Sequence, residues 1–331
     1  MAYEINEAKE LVIKAGKELL DKGLIVRTWG NISARISDTQ FVITPSGKAY
    51  ENLTLDDIVV VNINDLTYEG DIKPSSELAI HGDAYKMRPD VNFIVHTHQK
   101  YATCLSITGR NIEGIEAVAP NLYPVLGPVV PCASYGMNAT PELRAAVAMV
   151  IKLYPTSKAF LMKNHGAHCL GADYDDAFKV AQALEKVSQT LYKVLCGKEV
   201  QGMGDMTFTQ KFSFYGKSLL PYIDDFAMIA GTEIPCLNYR DLQGNTLEEM
   251  HRLNDLDKYM EDRDINCVIV KDRGIIYKTV ADDELEAIRI VTEKNCMAAV
   301  LAIAVPGIAP VDSQCAAEEH EFYTSSYSKM K

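Results

Sequence analysis

Two histidines close an apolar run. Val91-Asn92-Phe93-Ile94-Val95 leads straight into His96-Thr97-His98, and a short apolar run of this kind reads as a buried strand. On a strand, residues i and i+2 project from the same face. Both imidazoles therefore converge on one point at the end of a core element. That suits coordination of a metal by two nitrogens; it also suits two histidines making ordinary hydrogen bonds. A third histidine adds weight. His165 lies in Lys163-Asn164-His165-Gly166, where a second β-like run, Ala159–Met162, ends at a turn. Two strand ends of one sheet can bring three imidazoles together. Three such ligands leave the fourth position of a tetrahedral ion open, as in a catalytic rather than a structural site. His168 is a rival ligand placed beyond the turn. His81 is expected on a helix packed near the site, and His251 and His320 have no context that suggests chemistry.

The surrounding pattern sets the fold class. An amphipathic helix is expected over Glu4–Lys22, closed by Gly23. β-like runs follow at Leu24–Arg27, Ile32–Ile36, Phe41–Thr44, Asp56–Val61 and Glu69–Ile72. Leu78–Met87 reads as a helix stopped by Arg88-Pro89, and Tyr174–Leu195 as a long helix. Strands come in runs with helices before, between and after, which favours an α+β layered domain over a doubly wound parallel sheet.

Composition closes off other classes. The chain has 331 residues and a formal net charge of −12, which argues against non-specific binding to nucleic acid or to anionic membranes. No apolar run approaches the roughly 18 residues of a membrane helix. The start, Met1-Ala2-Tyr3-Glu4-Ile5-Asn6, lacks the pattern of a signal peptide, so a cytoplasmic protein is expected. The eight cysteines form no CxxC pair and read as reduced thiols.

Lys73-Pro74-Ser75-Ser76-Glu77 stands directly before the Leu78–Met87 helix. A serine there is ordinarily an N-cap, and a glutamate in the first turn complements the helix dipole. Two adjacent hydroxyls ask for more, because Gly30-Asn31-Ile32-Ser33 and Thr44-Pro45-Ser46-Gly47 are turns of the same character. Backbone N–H groups and hydroxyls at turns bind phosphate without a net positive charge. Neither a Walker sequence nor a GxGxxG fingerprint is present, so ATP and NAD are not expected.

These five motifs, in this order and spacing over residues 1 to about 200, resemble the class II aldolase/adducin family, and within it the L-fuculose-1-phosphate aldolases. The resemblance implies a three-layer α/β/α domain around a mostly antiparallel sheet. It implies one Zn²⁺ per chain (Mn²⁺ or Co²⁺ being alternatives) on His96, His98 and His165, with Glu77 as acid/base. It places the substrate phosphate among Asn31, Ser46, Gly47, Ser75 and Ser76. The implied reaction cleaves a ketose 1-phosphate into dihydroxyacetone phosphate and an aldehyde through a zinc-stabilised enediolate. Glu77 favours the aldolases over the 4-epimerase branch, whose motif ends in Asp. A dehydratase of the methylthioribulose-1-phosphate type remains the nearest alternative, and an adducin-like scaffold would lack the metal histidines. A homo-oligomer is implied, a tetramer or a dimer with pseudo-four-fold symmetry. In the aldolases a tyrosine upstream of the Pro-Cys segment reaches a neighbouring subunit's site; the matching position here is Pro120, with Tyr123 three residues on.

The second half contains a partial repeat. A shift of 108 residues lays Leu161–Gly166 over Ile269–Gly274, and a shift of 104 lays Gly127–Tyr135 over Gly231–Tyr239. Residues 1–203 are therefore expected to form the metal-binding domain. Residues 204–331 would be a degenerate partial copy, with Arg273 in place of His165 and an interface or lid role.

Overall fold

The computed structural model describes residues 2–197 continuously, then 205–207, 212–216, 240–241, 267–270, 274–278 and 282–309 with a few isolated positions. The chain divides into two compact units, the second beginning at Lys193.

The first unit starts with helix α1 (Ile5–Asp21). The carboxylate of Glu4 caps it by accepting from the N–H groups of Asn6 and Glu7. Strands β1 (Asn31–Arg35), β2 (Gln40–Ile43) and β3 (Val59–Asn62) form an antiparallel meander. Helix α2 (Leu78–Met87) leads into β4 (Phe93–Thr97) and α3 (Lys100–Ser106). A peripheral segment holds β5 (Ile112–Glu113), α4 (Ile115–Val118), α5 (Tyr123–Leu126) and β6 (Val129–Val130). Then come β7 (Cys132–Ala133), α6 (Pro141–Leu153), the hairpin β8 (Ala159–Met162) and β9 (Gly166–Gly171), and α7 (Tyr174–Cys196).

The sheet order is β3-β2-β1-β4-β9-β8-β7. All pairs are antiparallel except β7–β8. Strands β1, β4, β8 and β9 are buried at every position, so both faces of the sheet must be covered. On one face Phe41, Ile43, Ile94, Phe160, Met162 and Leu170 pack with α2 (Ile80, Ala84, Tyr85) and α6 (Leu143, Val147, Ile151). On the other, α1 lies over β1 and β2 with Ala8, Val12, Ala15 and Leu19 fully buried, and α3 lies over β8 and β9. The result is the three-layer α/β/α domain with a mostly antiparallel sheet.

Two expected strands are absent. Leu24–Arg27 is a tight turn, closed by the Trp29 N–H donating to Val26, with Arg27 at φ +50°. Its apolar residues are buried by the turn rather than by a ladder. Glu69–Ile72 is irregular beside a single bridge from Tyr68 to Val61. Helix α6 was not expected. Its N-terminus carries a plain signal, Thr140 accepting from the N–H of Leu143 with Pro141 in the first turn.

In the second unit, β10 (Asp205–Thr207), β11 (Phe212–Gly216), β12 (Arg240–Asp241), β13 (Cys267–Val270) and β14 (Gly274–Lys278) form a sheet of order β10-β11-β14-β13-β12, followed by α8 (Asp282–Ala304). Three pairs are antiparallel and the last, β12–β13, is parallel. In the first sheet the hairpin pairs Ala159 with Cys169 and Met162 with Gly166. In the second it pairs Cys267 with Tyr277 and Val270 with Gly274, each 108 residues further on. Residues 231–239, the target of the 104-residue shift, lie outside the described residues. Among the described residues no helix is long and apolar enough to cross a membrane.

Candidate metal and acid/base site

The sheet register assembles the site. Asn31 pairs with His96, His96 with His168, and His168 with Phe160. These four side chains therefore stand in one row across β1, β4, β9 and β8, on the face covered by α2. His98 follows His96 on the same side of the chain, and the β8–β9 turn delivers His165. Asn164 enters that turn at φ +60°, a conformation asparagine tolerates.

Two glycines make the room. A Cβ on Gly166 would lie 2.5 Å from the Thr97 carbonyl oxygen and 3.2 Å from both the His96 and His98 rings. A Cβ on Gly30, at φ +126°, would lie 2.7 Å from the His96 carbonyl oxygen.

The three imidazoles form a near-equilateral triangle, with ring centroids 4.7, 5.1 and 5.0 Å apart. One ligand atom from each falls within 4.8 Å of the others, and all three residues are buried. His96 Nδ1 donates to the Ala167 carbonyl at 3.0 Å. That fixes the tautomer and turns the lone pair of Nε2 inward, to within 2.8 Å of His98 Nε2. Glu77 completes the cluster. Its Oε2 is 3.3 Å from His96 Nε2 and its Oε1 3.7 Å from His165 Nε2.

Glu77 occupies the N-cap position of α2, yet its side chain caps nothing. It is turned into the site instead, so neither the Ser N-cap nor the dipole reading accounts for this segment. Glu77 is 6% exposed. Burial pushes its carboxyl up, but the adjacent His96 and His165 imidazoles and the hydrogen bond from Asn31 outweigh that and hold it below the usual carboxylate range. Its Oε1 has no hydrogen-bond partner among the described residues. A buried carboxylate oxygen so placed, facing inward-directed imidazole nitrogens, is the donor set that a divalent cation satisfies.

The hydroxyl-rich turns also come together. Pro45 bridges to Pro74, the Ser46 N–H donates to the Lys73 carbonyl at 2.9 Å, and the Ser75 N–H to the Thr44 carbonyl at 3.0 Å. Ser46, Gly47, Ser75 and Ser76 thus lie in two adjacent turns, with Gly47 at φ +73° and Ser76 exposed. Ser75 Oγ accepts from the Glu77 N–H. Asn31 is committed differently: its amide donates to Glu77 Oε2 at 2.9 Å, and its carbonyl oxygen is 2.5 Å from His81 Nε2.

Residues 10–192 match the class II aldolase and adducin N-terminal domain. The chain belongs to the class II aldolase/adducin family. It is 31% identical over 224 residues to the 5-deoxy-D-ribulose 1-phosphate aldolase of Bacillus thuringiensis serovar kurstaki, covering 64% of this chain and 99% of that protein. It is 35% identical over 186 residues to the L-fuculose phosphate aldolase of Escherichia coli K12, covering 56% of this chain and 83% of that protein. A solved L-fuculose 1-phosphate aldolase superimposes with a TM-score of 0.52 at 30% identity, over 57% of this chain and 85% of that one. Class II aldolases are metal-dependent lyases, and the activity class of this member is theirs.

Sequence reasoning underrated two residues of this class II aldolase. His168, set aside as lying beyond the turn, stacks on His96 with centroids 4.5 Å apart and an interplanar angle of 19°. His81 touches the site through Asn31. The signal for it was its position four residues after Glu77, on the same face of the helix. Tyr123 is half-buried at the start of α5, in the peripheral segment. His251 and His320 lie outside the described residues.

Proposed function

We propose that this chain is a class II aldolase that cleaves a ketose 1-phosphate into dihydroxyacetone phosphate and an aldehyde. The observation that carries this reading is the buried cluster of Glu77 with three inward-facing imidazoles. His96, His98 and His165 would hold the ion, zinc suiting three imidazoles best. When bound, it supplies Lewis-acid polarisation of the carbonyl next to the bond that breaks. As the C3–C4 bond parts, the C4 hydroxyl gives up its proton and becomes the aldehyde; Glu77 returns one proton to C3 of the ketone fragment, and removes it in the direction of synthesis. The sheet and α2 exclude water from Glu77, so its charge acts in a low-dielectric setting. Ser46, Gly47, Ser75 and Ser76 are proposed for the phosphate, with Asn31 contributing only the amide N–H that does not face Glu77. The turns at 44–47 and 73–77 support this by offering hydroxyls and N–H groups side by side.

The test is metal analysis of the wild type and of His96→Ala, with a retro-aldol assay on fuculose, rhamnulose and ribulose 1-phosphates. About one zinc per chain, lost in the variant together with product release, supports the aldolase. Metal without cleavage of any of the three moves the reading to a dehydratase or 4-epimerase on the same scaffold. No metal in a folded wild type leaves a scaffold.

Residues 204–331 are proposed to be a degenerate partial copy that takes part in subunit association. The support is the common strand order and the hairpin register displaced by 108 residues. Truncation after residue 203 tests this, since a relative covered over 99% of its own length matches only the first 64% of this chain. A changed oligomer is expected; an unchanged, fully active one overturns the association role.

A further inference from the structure

We propose that His81 is a positioning residue for Glu77, acting through Asn31. Its role in turnover rests on the aldolase reading; its hydrogen-bond direction does not.

Five side chains form one continuous line. Tyr85 OH lies 2.8 Å from Ser33 Oγ, and Ser33 Oγ lies 2.6 Å from His81 Nδ1. His81 Nε2 lies 2.5 Å from Asn31 Oδ1, and Asn31 Nδ2 donates to Glu77 Oε2 at 2.9 Å. Glu77, His81 and Tyr85 fall at i, i+4 and i+8 on α2 and its N-cap. Asn31 and Ser33 fall at i and i+2 on β1. Four helical residues rise about 6 Å and two strand residues about 6.7 Å, so helix and strand groups alternate without strain.

The direction of the line is forced. His81 is fully buried, and burial pushes its imidazole down to about 3, so it is neutral with one donor and one acceptor nitrogen. A carboxylate only accepts, so Asn31 must turn its NH₂ to Glu77 and its oxygen to His81. His81 Nε2 must then carry the proton. Nδ1 accepts from Ser33, and Ser33 accepts from Tyr85, whose phenol burial keeps protonated. Glu77 and His81 hold the Asn31 amide from its two ends, because the flipped amide would set NH₂ against N–H and a carbonyl against a carboxylate. The consequence at Glu77 is a division of labour. Oε2 is anchored, and Oε1 is left to the reaction.

The experiment uses the full zinc-loaded chain. Isotope-labelled histidine NMR reads the His81 tautomer, expected to be neutral with the proton on Nε2 between pH 6 and 8. His81→Phe is expected to lower kcat about 10- to 100-fold, with KM and zinc content little changed. His81→Gln, whose amide can still donate to Asn31, is expected to restore most of the loss. A proton on Nδ1, a charged imidazole, or full kcat in a folded, zinc-loaded His81→Phe overturns the proposal. Should His81→Phe fail to fold, the tautomer and the Gln variant decide. A wild type that cleaves no ketose phosphate defeats the aldolase reading and leaves the tautomer result standing.

Discussion

The two sheets share a pairing plan and differ at the place where chemistry would sit. In the first, β4 lies between β1 and β9 and sets His96 opposite His168. In the second, β11 lies between β10 and β14 and sets Phe214 opposite Ile276. Ile276 stands 108 residues after His168, so Phe214 takes the register position of His96. One step on, Gly216 pairs with Gly274, where extending the first ladder would set His98 against Gly166. The residues at the positions of the imidazole cluster differ, while the strand order and the directions of pairing agree. A sheet of this strand order is therefore formed without imidazoles at those positions, and the cluster is an addition to it rather than its support.

The sharpest way to break that comparison is to count ions. His96→Ala should leave the chain with no tightly bound metal and lower kcat by about 10³-fold or more, as loss of several kcal/mol of polarisation implies. One ion remaining per chain, measured by elemental analysis, would mean that His98, His165 and Glu77 hold it without His96 or that it binds elsewhere. Glu77→Gln should lower kcat by about 10²- to 10⁴-fold while the ion stays. Metal loss in step with activity would make Glu77 chiefly a ligand.

A matched pair of glycine variants compares the sheets directly. Gly166→Ala forces a methyl to within 2.5 Å of the Thr97 oxygen and against two imidazoles. It should cost about 1–3 kcal/mol in denaturant unfolding and weaken metal retention. Gly274→Ala, at the corresponding register position, should leave metal content untouched. The smallest effect concerns a region with no counterpart among the second sheet's described strands, the lead-in to β3. Lys48 Nζ lies 2.6 Å from Asp57 Oδ1. Burial raises the Asp57 carboxyl, but Lys48 and Thr54 outweigh it and hold it below its ordinary value. The contribution is therefore present above about pH 4 and is lost as pH falls through the lower folded value. Lys48 is 42% exposed on its side chain, so Lys48→Met should remove no more than about 1 kcal/mol at neutral pH. The difference from wild type should vanish in acid.

Much of the first sheet could be read from the chain because its signals are local. The α2 helix and the β8 strand have the expected ends, since Arg88-Pro89 stops one and a Gly-containing turn stops the other. Leu24–Arg27 misled because β-type residues were buried by a turn, and burial alone does not reveal the partner. The convergence of Glu77 with the histidines is set by the fold of α2 over β1 and β4, which no spacing displays; it was the family resemblance that named it. The relay through His81 depends on helix and strand rises coinciding, a long-range property. His168 depends on the register between β4 and β9, two strands far apart along the chain.

His168 carries a consequence for engineering. It is fully buried, sandwiched between His96 and Phe160, and neither ring nitrogen has a hydrogen-bond partner among the described residues. Burying two such nitrogens is costly. An apolar ring of similar size at that position would keep the stack and remove the cost, which makes it a place where thermostability is open to gain. The family's chemistry would then be tested by subtraction: a His168→Phe enzyme that is more heat-resistant and equally fast would mark this imidazole as inherited filling, and one that is more heat-resistant but slow would mark it as kept by selection for turnover.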